Sequence, residues 1–344
     1  MEQPVHATHT RLLAVLVALA ALFALRETYA VTMPLAAAAV VIAAVWPAKR
    51  WLRRFLPGVA GDIGAALLFL LLLLSFAAAV SFALAQVVQA FARQSDRLEQ
   101  LYARAAAWVE SWGGSIGGGG VYSRMMDVGA QALSNAYTLT AYLGLVGLLV
   151  IFGLPETSAL RDKTRDAFGE ARAREIVEAV SETAREIRSY LWVTTLTSAI
   201  TGGGSLLWSW LVGLDLALIW GLLNFLLNYI PVIGNFVGVV PPALYAVLQY
   251  GDLTMPLVVL AGFAILQIAV SNFIAPTLQG RSLALSPLAV LLALSIWSWV
   301  WGVAGALIAV PLTSALVVAC RRIPGLRWVA ALVSTRTAKE GETG

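Results

Sequence analysis

The chain has 344 residues, of which 60% are hydrophobic and only 12% are charged, with a formal net charge of +4. Soluble domains carry about 25% charged residues, so this composition excludes a water-soluble globular protein and predicts an all-α, polytopic protein embedded in a lipid bilayer. The small positive excess predicts no nucleic-acid partner. A single cysteine, Cys320, and two histidines in the polar N-terminal tail predict no disulfide, metal or other cofactor.

Residues 1–62 are predicted to form a helical hairpin followed by a cytoplasmic loop. The apolar runs from Leu12 to Leu25 and from Met33 to Trp46 are separated by a short polar stretch, and no small-residue cleavage site follows the first run. Both runs are therefore expected to be retained as helices. The second run is followed by Lys49, Arg50, Arg53 and Arg54. Because Lys and Arg favour the cytoplasmic side, the N-terminus and this loop are predicted to be cytoplasmic.

Residues 63–154 are predicted to form a membrane hairpin that carries an extracytoplasmic segment at residues 91–135. The run from Ile63 to Ala90 is long enough to cross the bilayer and continue beyond it. The outer segment is expected to hold an amphipathic helix and then a flexible linker, the glycine-rich tract at residues 113–120. The run from Ala136 to Leu154 would return the chain to the inside.

Two charged regions are predicted to lie in the cytoplasm. Residues 155–188 contain seven Lys or Arg and eight Asp or Glu, which is typical of a solvated helical region. Residues 321–344 begin with Arg321 and Arg322 and are interpreted as a cytoplasmic tail. The segment between them must then cross the membrane an even number of times.

Residues 189–320 are predicted to form a membrane-embedded core, because they contain only three formal charges, Asp215, Asp252 and Arg281. The stretches at residues 216–250 and 287–320 are each longer than the roughly 20 residues that one span needs. Each is therefore either a kinked crossing or a re-entrant hairpin, and the sequence leaves both possibilities open. The helix-breaking residues are Pro231, Gly234, Gly238, Pro241 and Pro242 in the first stretch, and Gly302, Gly305 and Pro311 in the second. Such breaks at membrane depth favour a substrate path.

The spacing of these residues resembles that of the autoinducer-2 exporter family of bacterial inner-membrane proteins. The similar positions are Leu223-Asn224, Tyr229-Ile230-Pro231, Gly234, Gly238, Pro241-Pro242-Ala243, Gln267, Asn272, Pro276, Gly280, Ser282-Leu283, Pro287-Leu288, Gly302, Gly305 and Pro311-Leu312. The resemblance implies a transporter of about eight membrane segments, assembly into a homo-oligomer, and export of a small signalling molecule or other solute. It covers about residues 185–320 well, and the N-terminal hairpins only in layout.

Two residues depart from the family pattern, and they weaken any inference about the substrate. Asn235 follows Gly234 where the family often has proline, and Ser286 precedes Pro287 where the family often has histidine. Some members are described as sodium or lithium/proton antiporters, so antiport is the alternative function. A nontransporting membrane scaffold is the second alternative. Metalloprotease motifs and paired intramembrane carboxylates are missing from the sequence, so no enzyme activity is predicted.

The polar side chains of the core are the predicted contacts of the solute. Helical spacing places Asn224 on one face with Asn228, and Gln267 on one face with Ser271. The full set is Asn224, Asn228, Tyr229, Gln267, Ser271 and Asn272. Hydrogen bonds between helices would explain the same residues without any role in transport, so structural and transport roles both stay open.

Overall fold

The computed structural model describes residues 3–52, 59–113, 121–230, 233–279, 285–322, 325 and 327–333, and these form helices almost throughout. This confirms the all-α class. The helices are α1 (Gln3–Glu27), α2 (Tyr29–Leu52), α3 (Val59–Arg93), α4 (Ser95–Ser111), α5 (Val121–Phe168), α6 (Glu170–Leu211), α7 (Ala217–Leu227), α8 (Ile233–Tyr250), α9 (Thr254–Ala269), α10 (Ala275–Gln279), α11 (Pro287–Arg322) and α12 (Arg327–Val333). Pro231, residues 114–120 of the glycine-rich tract and residues 334–344 of the tail lie outside the described residues.

Several helices have the length and composition of membrane spans. Within the described residues there are four, at Tyr29–Trp46, Ile63–Arg93, Thr254–Leu278 and Pro287–Arg322, or five if the bent pair Tyr142–Thr157 and Asp162–Phe168 counts as one span. Shorter apolar helices lie at Ala217–Leu227 and Val237–Tyr250. These helices indicate a multi-pass membrane protein, whereas the figure of eight segments stays a prediction.

The chain divides into two compact units. Unit 1 contains Met1–Phe69, Gly144–Leu191 and Arg281–Gly344, and unit 2 contains Leu70–Leu143 and Trp192–Gly280. The helices α3, α5 and α6 each contribute residues to both units. The charge pattern changes at residue 154, inside α5, and at residue 188, inside α6. Each of these two helices therefore contains both an apolar and a charged stretch.

In unit 1, α1 and α2 are joined at Thr28, whose N–H donates to the Ala24 carbonyl at 3.0 Å and whose carbonyl accepts from the Thr32 N–H at 3.0 Å, and the helical hairpin stays a prediction. The helix α11 folds back on itself. Only Thr28 separates α1 from α2. The backbone of α11 leaves the helical conformation at Trp301 (φ −128°, ψ 16°) and Gly302 (φ 62°, ψ −143°). The indole N–H of Trp297 donates to the hydroxyl of Thr313 at 3.0 Å, although sixteen residues would span about 24 Å in a straight helix. The two halves of α11 are therefore antiparallel neighbours.

The charged half of α6 contacts the end of α11 within unit 1. The guanidinium of Arg322 donates to the carboxylate of Glu182 at 2.8 Å and lies 3.7 Å from that of Glu178. Both carboxylates are partly exposed to solvent, so the pair contributes at most about 1 kcal/mol. The contact gives part of the charged region at residues 155–188 a structural partner.

In unit 2, α7 and α8 also form an antiparallel hairpin. The rings of Trp220 and Tyr245 approach to 5.7 Å between centroids, and they belong to a buried cluster that includes Leu223, Val259 and Phe263. The predicted amphipathic helix of the outer segment is present as α4. Its Arg97 donates to the carbonyl of Leu248 at 3.0 Å, and a cation is favourable there because the C-terminal end of a helix carries partial negative charge.

Candidate functional site

The first predicted break is the tip of the α7–α8 hairpin, and hydrogen bonds at the other end hold the two helices together. The side chain of Gln249 accepts from the backbone N–H of Asp215 at 2.9 Å and donates to the carbonyl of Gly213 at 2.8 Å. The hydroxyl of Tyr250 donates to the carbonyl of Val212 at 2.7 Å. The end of α8 therefore returns to the residues that lead into α7.

Asn224 joins the two helices near the tip. Its buried amide nitrogen donates to the carbonyls of Trp220, at 3.0 Å, and Gly238, at 2.9 Å, which uses both of its hydrogens. The carbonyl of Gly238 would ordinarily accept from the N–H four residues later, but Pro242 has none. A Cβ at Gly238 would lie 2.3 Å from the Asn224 amide oxygen. The Gly238 and Pro242 positions thus create the acceptor and the space that Asn224 fills.

The tip itself depends on Gly234. A Cβ at this position would lie 2.0 Å from the carbonyl oxygen of Leu227, and the Gly234 N–H donates to the carbonyl of Ile230 at 2.9 Å. Pro241 lies next to Pro242 inside α8, where it leaves the carbonyl of Val237 without its usual donor.

Asn228 and Tyr229 connect the tip to α6. The Asn228 amide donates to the hydroxyls of Ser198, at 3.0 Å, and Thr197, at 3.3 Å. The Tyr229 hydroxyl donates to that of Thr195 at 2.8 Å. The structure thus brings two of the predicted residues onto a polar surface of α6 that was not among the sequence predictions.

This surface continues along α6 as a row of hydroxyl groups. The hydroxyl row consists of Thr194, Ser198, Thr201, Ser205 and Ser209, all buried. Positions three and four apart share one face of a helix, so the recurrence of Ser and Thr was the signal available in the sequence. The hydroxyls of Thr201, Ser205 and Ser209 are buried without a hydrogen-bond partner, as is the indole N–H of Trp208.

The hydroxyl row runs between the surfaces of α6 that contact α7 and α9. A Cβ at Gly202 would meet the Cβ of Phe225 in α7 at 2.7 Å, whereas a Cβ at Gly204 would meet the side chain of Leu266 in α9 at 2.8 Å. Thr201 and Ser205 lie on the face between these two contact surfaces. The row therefore faces the junction of three helices.

The other predicted residues, Gln267, Ser271 and Asn272, lie at the end of α9 and in the π-helical turn that follows it, Val270–Ile274. Gln267 is buried before the turn, whereas Ser271 and Asn272 lie within it and are exposed. The Asn272 amide donates to the carbonyl of Ile268 in its own helix at 3.0 Å. Single π-helical turns frequently occur at functional sites.

The second predicted break lies in unit 1, at the turn of α11. Gly302 has a positive φ, and a Cβ at Gly305 would lie 1.9 Å from the carbonyl oxygen of Trp297. The indole N–H of Trp301 donates to the hydroxyl of Thr32 at 3.1 Å, and its ring stacks on that of Trp297 at 5.0 Å. Pro311 is buried in the second half of α11.

The adjacent glycines of α6 provide a test of this packing. We expect Gly202→Ala to lower the free energy of unfolding by about 1–3 kcal/mol, because its Cβ would lie 2.8 Å from the carbonyl oxygen of Gly221. Gly203 has no atom within 4 Å of an added Cβ, so Gly203→Ala is expected to be neutral or stabilising by about 0.5–1 kcal/mol. Thermal unfolding of both variants in detergent measures the difference, and equal midpoints would contradict the close approach of α6 and α7.

Carboxylates and cations lie outside this site in the part of the chain that the structure describes. Asp215 and Asp252 are both exposed, and the Asp252 carboxylate accepts from the backbone N–H of Met255 at 3.3 Å. No group of three His, Cys, Asp or Glu residues that could hold a metal ion occurs among the described residues. The site is therefore a set of neutral hydrogen-bonding groups.

Comparison with known proteins links this architecture to membrane transport. The profile described as "AI-2E family transporter" matches residues 12–325. The chain is similar to the AI-2 transport protein TqsA of Escherichia coli strain K12, with 36% identity over 204 residues, 59% of this chain and 57% of TqsA. It is also 34% identical over 170 residues to YhhT of the same strain, covering 49% of this chain and 48% of YhhT.

A further relative carries a different activity in its name. The Sodium-lithium/proton antiporter of Halobacillus andaensis is 27% identical over 182 residues, which cover 53% of this chain and 51% of the antiporter. The chain thus spans about half the length of the curated relatives it matches.

Proposed function

We propose that this chain, which belongs to the AI-2E family of transporters, exports a small, uncharged, hydrogen-bonding solute across the bacterial inner membrane through unit 2. The family membership supports transport, and the name of TqsA supports a signalling molecule as the solute. The solute path is assigned to the hydroxyl row together with Asn228 and Tyr229 at the hairpin tip.

The unpartnered hydroxyls of Thr201, Ser205 and Ser209 are the observation that carries this proposal. A buried polar group without a hydrogen bond lowers the stability of the fold by about 1–3 kcal/mol. Three such groups side by side are therefore unfavourable in a helix contact whose role is only structural. A conformation that brings a polar solute between α6, α7 and α9 would satisfy them. The row would then be the binding surface that a transport cycle exposes.

The neutral character of the site favours an uncharged solute. A proton-coupled mechanism would favour an ionisable group at mid-depth in the membrane, whereas Asp215 and Asp252 lie at exposed helix ends. Cation/proton antiport is the second candidate function, and the similarity to the Halobacillus andaensis antiporter supports it. Hydroxyl and carbonyl oxygens could ligate such an ion.

The α7–α8 hairpin is proposed to be a re-entrant element. The eleven residues of α7 span about 16 Å, half of the roughly 30 Å hydrocarbon core, and the end of α8 returns to the residues before α7. The tip with Asn228 would then lie within the membrane. Broken helices of this kind occur where protein or a cavity satisfies the free backbone groups.

The membrane arrangement is proposed from the distribution of cations. We expect about eight segments, cytoplasmic N- and C-termini, a cytoplasmic block at residues 155–188, an external tract at residues 113–120, and assembly into a homo-oligomer. Single cysteines introduced after replacement of Cys320 should react with impermeant reagents from the predicted side only. Labelling of residues 155–188 from outside would contradict the arrangement, and a monomeric mass in detergent would contradict the oligomer.

Removal of the unpartnered hydroxyls is expected to reduce transport without lowering the stability of the fold. Thr201→Val combined with Ser205→Ala is expected to leave the free energy of unfolding unchanged or raise it by about 1–3 kcal/mol, because apolar groups of similar shape replace unsatisfied polar groups. Transport of the solute by inverted vesicles is expected to fall about tenfold or more. The hydrogen-bonded Thr277 on α10, bonded to the carbonyl of Ile274 at 2.7 Å, provides the control Thr277→Val, which should retain transport.

The same vesicles distinguish the two candidate functions. Solute accumulation that is insensitive to sodium and lithium would support the exporter, whereas collapse of an imposed pH gradient on addition of either cation would support antiport. Full transport by the Thr201→Val, Ser205→Ala variant would show that the hydroxyl row is not the path. Absence of both activities in folded wild-type protein would favour the nontransporting scaffold.

A further inference from the structure

The turn between α1 and α2 forms one wall of a cavity at the second helix break, within unit 1. The cavity has a volume of about 450 Å³ and is lined by Arg26, Glu27 and Tyr29 from the turn and by Val300, Trp301 and Gly302 from α11. It exists because α11 turns back at Gly302, where the positive φ suits glycine. The hydrogen bond from Trp301 to Thr32 holds the turn of α11 against the first turn of α2.

One cation and one anion line the cavity without pairing with each other. Neighbouring residues in a helix point in different directions, so Arg26 and Glu27 cannot readily form an ion pair. Among the described residues neither side chain forms a salt bridge or a hydrogen bond. The guanidinium of Arg26 instead lies 4.5 Å from the ring centroid of Trp299. When the flat face of a guanidinium stacks on an aromatic ring, its N–H groups point outward from the edge and can donate hydrogen bonds to an oxyanion.

An exposed apolar stripe leads along α1 to Arg26. Leu16, Leu19 and Phe23 are each more than half exposed, and their spacing of three and four residues places them on the same helix face as Arg26. Phe23 also contacts Trp299, with 6.1 Å between ring centroids. Tryptophan and arginine at the end of an apolar helix face are typical of the level of lipid headgroups.

We infer that this cavity binds the headgroup of a zwitterionic ethanolamine phospholipid, with its phosphate on Arg26, its ammonium on Glu27 and an acyl chain along the stripe of α1. The opposite charges of the headgroup match the opposite charges of the lining. A primary ammonium donates three hydrogen bonds to a carboxylate, whereas the quaternary ammonium of choline donates none, so the site prefers ethanolamine. An anionic glycerol headgroup would satisfy Arg26 but not Glu27.

Lipid titration of the purified full chain tests the inference. The protein in detergent is titrated with dioleoyl phosphatidylethanolamine, the matching phosphatidylcholine or the matching phosphatidylglycerol, and the midpoint of thermal unfolding is recorded. The ethanolamine lipid is expected to raise the midpoint at about tenfold lower concentration than the other two. Equal half-saturating concentrations for the three lipids would overturn the site.

Charge-neutral variants assign the two contacts. Arg26→Gln is expected to raise the half-saturating concentration of all three lipids by about fivefold or more, because each headgroup carries a phosphate. Glu27→Gln is expected to remove only the preference for ethanolamine over choline. Arg172→Gln, at an exposed cation of α6, makes the same change in net charge and should alter neither value.

Unlipidated glycerophosphoethanolamine distinguishes a lipid site from a site for a soluble zwitterion. No shift is expected at concentrations at which the lipid saturates, since the apolar stripe contributes to binding. A shift equal to that of the lipid would overturn the lipid assignment, and so would an unchanged ethanolamine preference in Glu27→Gln. Because the readout is thermal unfolding and not transport, the outcome is independent of the proposed solute path.

Discussion

Replacing Gly234 by alanine is expected to open the tip of the α7–α8 hairpin and lower the free energy of unfolding by about 3 kcal/mol, at the upper end of the cost of overpacking. The added Cβ would lie 2.0 Å from the carbonyl oxygen of Leu227, and backbone cannot move aside as a flexible side chain can. Transport should be lost together with folded protein. Thermal unfolding and the yield of monodisperse protein in detergent measure the effect.

A glycine in open space gives the matched control for this substitution. Gly144 in α5 is exposed and has no atom within 4 Å of an added Cβ, so Gly144→Ala should unfold at the wild-type temperature or slightly above it. A stable Gly234→Ala protein that still transports would show that the hairpin does not close as tightly as the structure indicates.

Substitution of Asn228 by leucine is expected to reduce transport per folded protein by about tenfold, while costing about 1 kcal/mol in the free energy of unfolding. The amide is half-buried and donates to Thr197 and Ser198 at the start of the proposed path. Leucine has a similar volume but no hydrogen-bonding group. The Thr197 hydroxyl already donates to the Thr194 carbonyl at 3.0 Å, and the Ser198 hydroxyl can bond to a carbonyl of its own helix, which limits the loss of stability.

The measurement for Asn228 is the initial rate of solute uptake into inverted vesicles, divided by the amount of folded protein. Ser295→Ala in α11 is a control, because it removes only a hydrogen bond to the Leu291 carbonyl of the same helix. A wild-type rate in Asn228→Leu would assign Asn228 a structural role alone. A parallel loss of rate and folded protein would lead to the same conclusion.

The predicted solute contacts include two pairs of residues with a spacing of four, and this spacing predicted the environment of one pair better than that of the other. Asn224 and Asn228 lie four residues apart, and both do make polar contacts between helices, but with different partners: α8 for the first and α6 for the second. Gln267 and Ser271 have the same spacing, yet only Gln267 is buried, and Ser271 lies in the π-helical turn. Spacing predicts a shared face only while the helix remains regular.

The sequence by itself determined the membrane class, the helical structure and the break at Gly302, whereas Gly238, Pro241, Pro242, Gly305 and Pro311 lie inside helices. These features depend on local properties: the apolar length of each run, the missing N–H of proline and the conformational freedom of glycine. The amphipathic helix α4 could be predicted for the same reason, because it needs only the residues of its own segment.

Only the tertiary structure decided that both long stretches turn back on themselves and that α6 buries a row of hydroxyls. The direction of the chain after a break depends on contacts with distant residues, such as Asn224 with Gly238 and Trp297 with Thr313. Ser and Thr are compatible with lipid-facing, protein-facing and cavity-facing positions of a membrane helix. Their role depends on which helices pack beside them, and local sequence does not specify that packing.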